Sequence, residues 1–571
     1  MLFTAVLALA GAVAVTAQHH NGCDVPLYCP GPLLDVIQSA KLHNDSKYFV
    51  DQPTSKPLNQ VLAAFAQLPG QPTRDQVAKF VGDNFLPAGA EIGPAVLSDF
   101  RTEAPFLSKI RDPELRRFSQ DVHSKWLSLG REYKPDVLCA GCASSVLPTK
   151  KPFVVPGGRF REFYYWDSYF TMEGLLISGM TETVKGMIEN ILDIVDEYGF
   201  MPNGARIYYL NRSQPPLLTQ MVRLYVEATN DDVFLARALP TLEKEHAFWM
   251  KNRTVTVSAP GKPRARLAVY AVNNDQPRPE SWREDKHTAA NMADAQRKRF
   301  YAEMAAGAES GWDYSSRWFT QETALDSIAT SQVVPVDLNS ILYANERAIA
   351  HFSKRLGRNH VCTKYAVAAD ARRDAIHQYL WSEKDSQWYD FNLTSRQQNE
   401  RFYASTVVPL WSHALDRRLF NSQTAARFVA AVRPALDMPG GAPTSLIKSG
   451  QQWDFPNAWP PLEHFVVYGL LNAKTPEARD LAKQLAQRWI NSNYCGWLAT
   501  GGNGKQPGRT GGLMFEKYDA SRLGIPGDGG EYEVQEGFGW SNGVLLSFLT
   551  RLGTDLTAPK DCPPLPANFH F

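Results

Sequence analysis

The chain has 571 residues, 44% of them hydrophobic and 21% charged, enough apolar material for a large core and too much for wholesale disorder. Lys plus Arg number 60 against 59 Asp plus Glu, so no charge imbalance points to nucleic acid or to an anionic membrane surface. Aromatic residues reach 11% and include 14 Trp, a richness that asks for a use.

The opening stretch, MLFTAVLALAGAVAVTAQ, reads as a secretory signal peptide over 1–17, cleaved after Ala17 in the small-residue run Val15-Thr16-Ala17. It is short for a membrane anchor and lacks basic flanks. No later segment is long and apolar enough to span a bilayer, and the final APKDCPPLPANFHF has no lipid-anchor tail. A secreted, soluble protein with one domain over 18–571 is expected. Seven cysteines, an odd number, leave at least one thiol free or intermolecular. The CAGC at Cys139–Cys142 has redox-motif spacing, but no βαβ pattern surrounds it, so a local disulfide is expected there. No further ligands at zinc spacing accompany it. Sequons at Asn44, Asn211, Asn252 and Asn392 fit secretion. Asn211 adjoins candidate binding residues and is expected to stay unmodified.

Along the chain, helical periodicity dominates. DPELRRFSQDVHSKWLSLG opens with Asp112 as N-cap and Pro113 at the first helical position, and Gly130 can end the helix. Its apolar residues Leu115, Phe118, Val122, Trp126 and Leu129 recur every three or four positions. PPLLTQMVRLYVEATN and DDVFLARALPTLEKEHAFWMKN follow one another as a helical hairpin would. LNSILYANERAIAHFSKRLG, AVAADARRDAIHQYLW and PEARDLAKQLAQRWINSNY are further helices. Strand alternation is scarce, RLAVYAV being the best case. Many helix pairs without a linker predict one all-α toroid or solenoid, and no fixed-period repeat is visible.

Between the helices run long polar, glycine-rich and aromatic loops, the segments in which binding residues collect. Trp-Asp recurs in three of them, as Trp166-Asp167, Trp312-Asp313 and Trp453-Asp454. Singly, each pair is a packed Trp beside an exposed Asp; three together point to a shared pocket. Flat rings with Asp, Glu, Arg and Asn suit a sugar, whose C–H faces stack and whose hydroxyls want forked polar partners. Hydrolysing a glycosidic bond needs two carboxyls in different environments, one protonated and one ionised. Asp313, between Trp312 and Tyr314 in ESGWDYSSRW, is a natural acid, with Trp312 as its apolar wall. The competing reading makes Asp313 a helix N-cap ahead of Ser315 and Ser316. For the second carboxyl, Glu309, Glu280, Asp454, Glu516 and Glu531 remain open. No phosphate loop, His-Glu-x-x-His motif or Gly-x-Ser-x-Gly elbow is present.

Two segments, PGGRFREFYYWDSYF and QWDFPNAW, resemble the signature segments of the trehalases, glycoside hydrolases of α,α-trehalose. PNGARIYYLNRSQPP, RPES, ESGWDYSSRW, EKYD and GGEYEVQEGFGWSNG agree in the family's order. The resemblance spans about Leu33 to Leu552 and implies an all-α (α/α)6 toroid with long active-site loops and an inverting mechanism without metal or cofactor. It implies Asp313 as general acid and Glu516 as general base. Substrate contacts carry over to Arg159, Trp166, Asp167, Asn203, Arg212, Gln214, Arg278, Glu280, Gly311 and Glu531. Where bacterial members have an unbroken glycine run before Glu-Tyr, this chain has GIPGDGGEY. The secretory start resembles the soluble animal type, insects especially. The implied partner is a disaccharide, with neither nucleic acid nor membrane. The alternatives are another toroid glycosidase of the glucoamylase type, or a sugar-binding protein without hydrolysis.

Overall fold

A computed structural model describes residues 23–416, 420–502, 511–530, 535 and 537–564. Twelve helices alternate between an outer and an inner layer. They are α1 (Pro113–Ser124), α2 (Tyr165–Ile177), α3 (Thr181–Tyr198), α4 (Leu218–Thr229), α5 (Asp232–Asn252), α6 (Val336–Arg355), α7 (Asn359–Leu380), α8 (Val408–Ser412), α9 (Ser422–Leu436), α10 (Pro460–Asn472), α11 (Pro476–Ala499) and α12 (Gly539–Leu552). The even-numbered helices pack in a ring, each against the next, and α12 closes it against α2. The odd-numbered ones pack outside, so the architecture is the (α/α)6 toroid that the resemblance implies.

Burial follows the layers. Every residue from Tyr165 to Leu175 in α2, from Pro460 to Leu470 in α10 and from Gly539 to Leu549 in α12 is buried. Helices buried all round belong inside. Outer α3 is instead amphipathic, its inward stripe including Val184, Ile188, Ile191 and Val195. One apolar core runs continuously from Leu97 to Leu556. A second cluster, from Leu27 to Phe85, packs on Tyr164, Tyr208, Tyr209 and Trp282.

Local signals account for most helix ends. Asp112 accepts from the backbone N–H groups of Glu114 and Leu115 at 2.9 and 3.0 Å, capping α1 as expected. That helix stops at Ser124, however; a short turn, Trp126–Leu129, follows, and Gly130 begins a strand instead of ending a helix. The α4–α5 hairpin turns through Asn230, left-handed at φ 57°, and Asp231 caps α5 by accepting from Phe234 N–H at 2.8 Å. Of RLAVYAV, only residues 266–268 lie in a strand, pairing with Thr254–Ala259 in a hairpin.

The connections are unequal, and this positions the site. From inner to outer helix the links are mostly short, as from Ile177 to Thr181, Thr229 to Asp232 and Asn472 to Pro476. From outer to inner they are long, as from Asn252 to Val336 and Ala499 to Gly539. All long loops therefore gather where the inner helices begin. Their N-terminal, partially positive ends face those loops.

The ring closes on glycine. A Cβ on Gly174 of α2 would lie 2.6 Å from Gly543 Cα, and one on Gly543 of α12 would lie 2.0 Å from Phe170 O. On a free helix Gly→Ala stabilises by about 1 kcal/mol. Here we expect the opposite sign: Gly543→Ala should cost at least the ~1–3 kcal/mol of overpacking, read as a lowered Tm in a thermal melt.

Candidate active site

The long loops line a pocket of about 660 Å³, the open solvent at its mouth included. Its lining includes Arg159, Trp166, Asp167, Asn203, Arg212, Gln214, Arg278, Glu280, Gly311, Asp313 and Glu516. Those are eleven of the twelve residues expected from sequence, brought together from four outer-to-inner connections and the first turn of α2. The twelfth, Glu531, lies outside the described residues, as does the leader over 1–17.

The Asp313 loop is built with little freedom. Gly311 is left-handed at φ 73°, and a Cβ there would meet the Trp166 ring at 2.9 Å and Pro215 at 3.2 Å. Asp313 itself has φ 31°, an uncommon backbone state of the kind found at functional sites. It does not cap a helix; Ser315 does, accepting from Arg317 N–H at 3.1 Å. Arg317 is wholly buried between the Trp312 and Trp318 rings, 4.4 and 4.5 Å from their centroids. Its guanidinium forks onto Asp337 and Asp390, which hold it charged. Trp312 does not line the cavity. It stacks on Trp453, which stacks on Trp459 at 4.0 Å, and the cavity wall is made by Trp166, Trp453, Trp459 and Trp540.

Glu516 enters from the loop before α12. Its backbone N–H donates to Gln535 O at 2.9 Å and its carbonyl accepts from Trp540 Nε1 at 2.9 Å. A two-residue strand pair, Tyr518–Asp519 with Asn457–Ala458, joins this loop to the one carrying Trp453. Glu309 and Asp454, carboxyls also open from sequence, are used elsewhere. Glu309 forks with Arg253 at 2.7 and 2.8 Å, and Asp454 gathers serines behind the cavity.

The remaining polar residues are held from behind. Asp45 grips Arg159 at 2.6 and 2.7 Å, and Asp285 grips Arg278 at 2.5 and 2.9 Å. Gln214 accepts from Trp166 N–H at 3.1 Å, and Asn203 donates to Ala308 O at 3.2 Å. Arg212 pairs with Glu280, yet Arg212 Nε and Glu280 Oε2, both buried, make no bond within the protein. Buried polar atoms of that kind call for a polar ligand. Sequence reading also passed over Phe160, Tyr164, Tyr209 and Phe538 in the lining. Nothing in their spacing separates them from core aromatics. The cysteines pair as Cys23–Cys29, Cys139–Cys142 and Cys495–Cys562, with Cys362 free, and the CAGC pair is the local bond expected.

Electrostatics set the third carboxyl apart. Burial pushes Asp167 from its ordinary 3.8 up to about 8, and the Glu516 and Asp313 charges push the same way. Folded Asp167 thus keeps a proton that the unfolded chain releases above its ordinary value. Stability is lost as pH rises between those two values and is greatest below them. Asp167→Asn removes the ionisation. Its Tm relative to wild type should therefore improve from pH 5 to pH 9 in paired melts, and a constant gap would contradict the shift.

The sequence pattern described as "Trehalase" matches residues 41–553. A trehalase of Dictyostelium discoideum is 44% identical over 554 residues, covering 94% of this chain and 92% of its own. A trehalase of Homo sapiens is 44% identical over 543 residues, covering 94% and 91%. Among solved structures, the neutral trehalase of Saccharomyces cerevisiae superposes with a TM-score of 0.55 at 25% identity, over 70% of this chain and 73% of that one. With a family match and near-full-length relatives of this identity, the chain belongs to the trehalase family and is a glycoside hydrolase.

Proposed function

We propose that the protein hydrolyses α,α-trehalose to two glucose molecules with inversion, Asp313 serving as general acid and Glu516 as general base. The observation that carries the reading is that these two carboxyls, from distant loops, line one aromatic-walled cavity. Asp313 gives its proton to the bridging oxygen as the glycosidic bond breaks. Glu516 takes a proton from the water that attacks the anomeric carbon from the opposite face. One product is released with inverted configuration and the other keeps its own. Inversion calls for carboxyls about 6.5–9.5 Å apart, leaving room for that water.

The other lining residues fit sugar recognition. Asp167, neutral at pH 7, can donate to a hydroxyl, and the unpaired Arg212 Nε and Glu280 Oε2 offer one donor and one acceptor. Arg159, Arg278, Asn203 and Gln214 add polar partners, Trp166 a stacking face, and Gly311 a backbone that a ring can approach. Glu531 is assigned to substrate on resemblance alone. Secretion is part of the same reading. Three disulfides support it, and among the described residues no helix is long and apolar enough to cross a membrane. In this proposal 1–17 is the leader and 18–571 the catalytic domain.

Asp313→Asn and Glu516→Gln should each lower kcat by about 10²–10⁴-fold, the usual worth of acid–base catalysis, while calorimetry still detects trehalose binding. Near-normal turnover in either variant would overturn the assignment. Arg159→Ala, by contrast, should raise KM as well as lower kcat.

A further inference from the structure

Gln452 and Lys517 stand behind the two carboxyls, 1% and 0% exposed, and neither lines the cavity. The Gln452 amide nitrogen donates to Asp313 Oδ2 at 3.1 Å. Its amide oxygen accepts from Lys517 Nζ at 3.0 Å, and Nζ lies 3.9 Å from Glu516 Oε2. A chain of polar contacts thus joins Asp313 to Glu516.

Donor chemistry gives the chain a direction. An ammonium only donates, so Gln452 turns its oxygen to Lys517 and its NH2 to Asp313. The NH2 only donates as well, so Asp313 Oδ2 accepts, and a proton on Asp313 belongs on Oδ1. Gln452 is anchored at its backbone, where the carbonyl accepts from Trp459 Nε1 at 2.8 Å and Asn457 Nδ2 at 2.9 Å. Lys517 sits 4.9 Å from the Trp459 ring centroid. A glycine-rich cover presses on both side chains. A Cβ on Gly530 would lie 2.8 Å from Gln452 Cβ, and one on Gly527 would lie 2.7 Å from Lys517 Cγ. The close approach explains why glycines stand there. Burial lowers the Lys517 pKa, while the charges of Glu516, Asp528 and Asp313 oppose that. Asp167 faces both Asp313 and Glu516 from α2.

We propose that Gln452 and Lys517 are positioning residues, which present Asp313 with its proton on Oδ1 and hold a cation beside Glu516. The inference rests on the acid and base roles proposed above. The Gln452 N–H favours ionised Asp313, and the Lys517 cation favours ionised Glu516. Deleting either contact therefore raises the pKa of the carboxyl it touches.

The test is the pH dependence of trehalose hydrolysis by full-length Gln452→Met, Gln452→Glu and Lys517→Met. Misplacing a catalytic group by about 1 Å costs about 10²-fold, so kcat should fall by that order with KM little changed. The alkaline limb, set by Asp313, should move to higher pH in Gln452→Met. It should move further in Gln452→Glu, where a second carboxyl disfavours ionisation. The acidic limb, set by Glu516, should move to higher pH in Lys517→Met. Variants that melt cooperatively but keep both limbs at the wild-type positions would overturn the proposal, whatever their rate. Should Lys517→Met not fold, the near-isosteric Gln452→Glu decides alone. Failure of the underlying roles reads out separately, as activity surviving in Asp313→Asn or Glu516→Gln.

Discussion

A single buried carboxylate, Asp454, ties together the loops on which the site depends. It accepts from Ser315 Oγ, Ser316 N–H and Oγ, Ser445 Oγ and Ser449 Oγ, at 2.5 to 3.0 Å. Burial raises its pKa, and those hydrogen bonds oppose the rise. Three of the five bonds come from the residues just after Asp313. With Arg317 clamped between two indoles and two carboxylates, they fix the loop after Asp313, while Gly311, close against Trp166 and Pro215, fixes it before. A backbone at φ 31° persists only where its surroundings over-determine it, and here they do.

The toroid makes such a site possible by dividing labour. Inner helices pack as a rigid ring, close enough in one place to exclude any side chain, and pair buried charges such as Glu173 with His464 and Glu346 with Arg372. The long outer-to-inner loops supply most of the cavity's polar residues, and α2 adds Asp167. Buried charges then need partners, and the cavity residues have them one layer back: Asp45 for Arg159, Asp285 for Arg278, Asn203 anchored to backbone. Pre-organisation of this kind lets a site present donors and acceptors at fixed positions instead of searching for them.

Much of this was legible in the sequence. Helix periodicity and the Asp112 cap gave the helices, and long aromatic loops marked the site. The Trp-Asp recurrence pointed to a shared pocket, but the three pairs do different work. Trp166-Asp167 lines the cavity; Asp313 lines it while Trp312 packs behind; Trp453 lines it while Asp454 becomes the serine hub. A dipeptide cannot say which of its side chains faces inward, because that follows from loop geometry. Gln452 and Lys517 escaped notice for the same reason: nothing local distinguishes a buried Gln and Lys from solvated ones. The break after Ser124 was also hidden, since tertiary packing of Trp126 and Leu129 continued the apolar period past the helix end.

The most direct test of the account is proton NMR of the purified protein with α,α-trehalose, following the anomeric signals before mutarotation mixes them. Inversion at one carbon, with the other untouched, predicts equal initial amounts of α- and β-glucose. Formation of α-glucose alone would mean retention through a covalent nucleophile, and would contradict the pairing of Asp313 with Glu516 as acid and base.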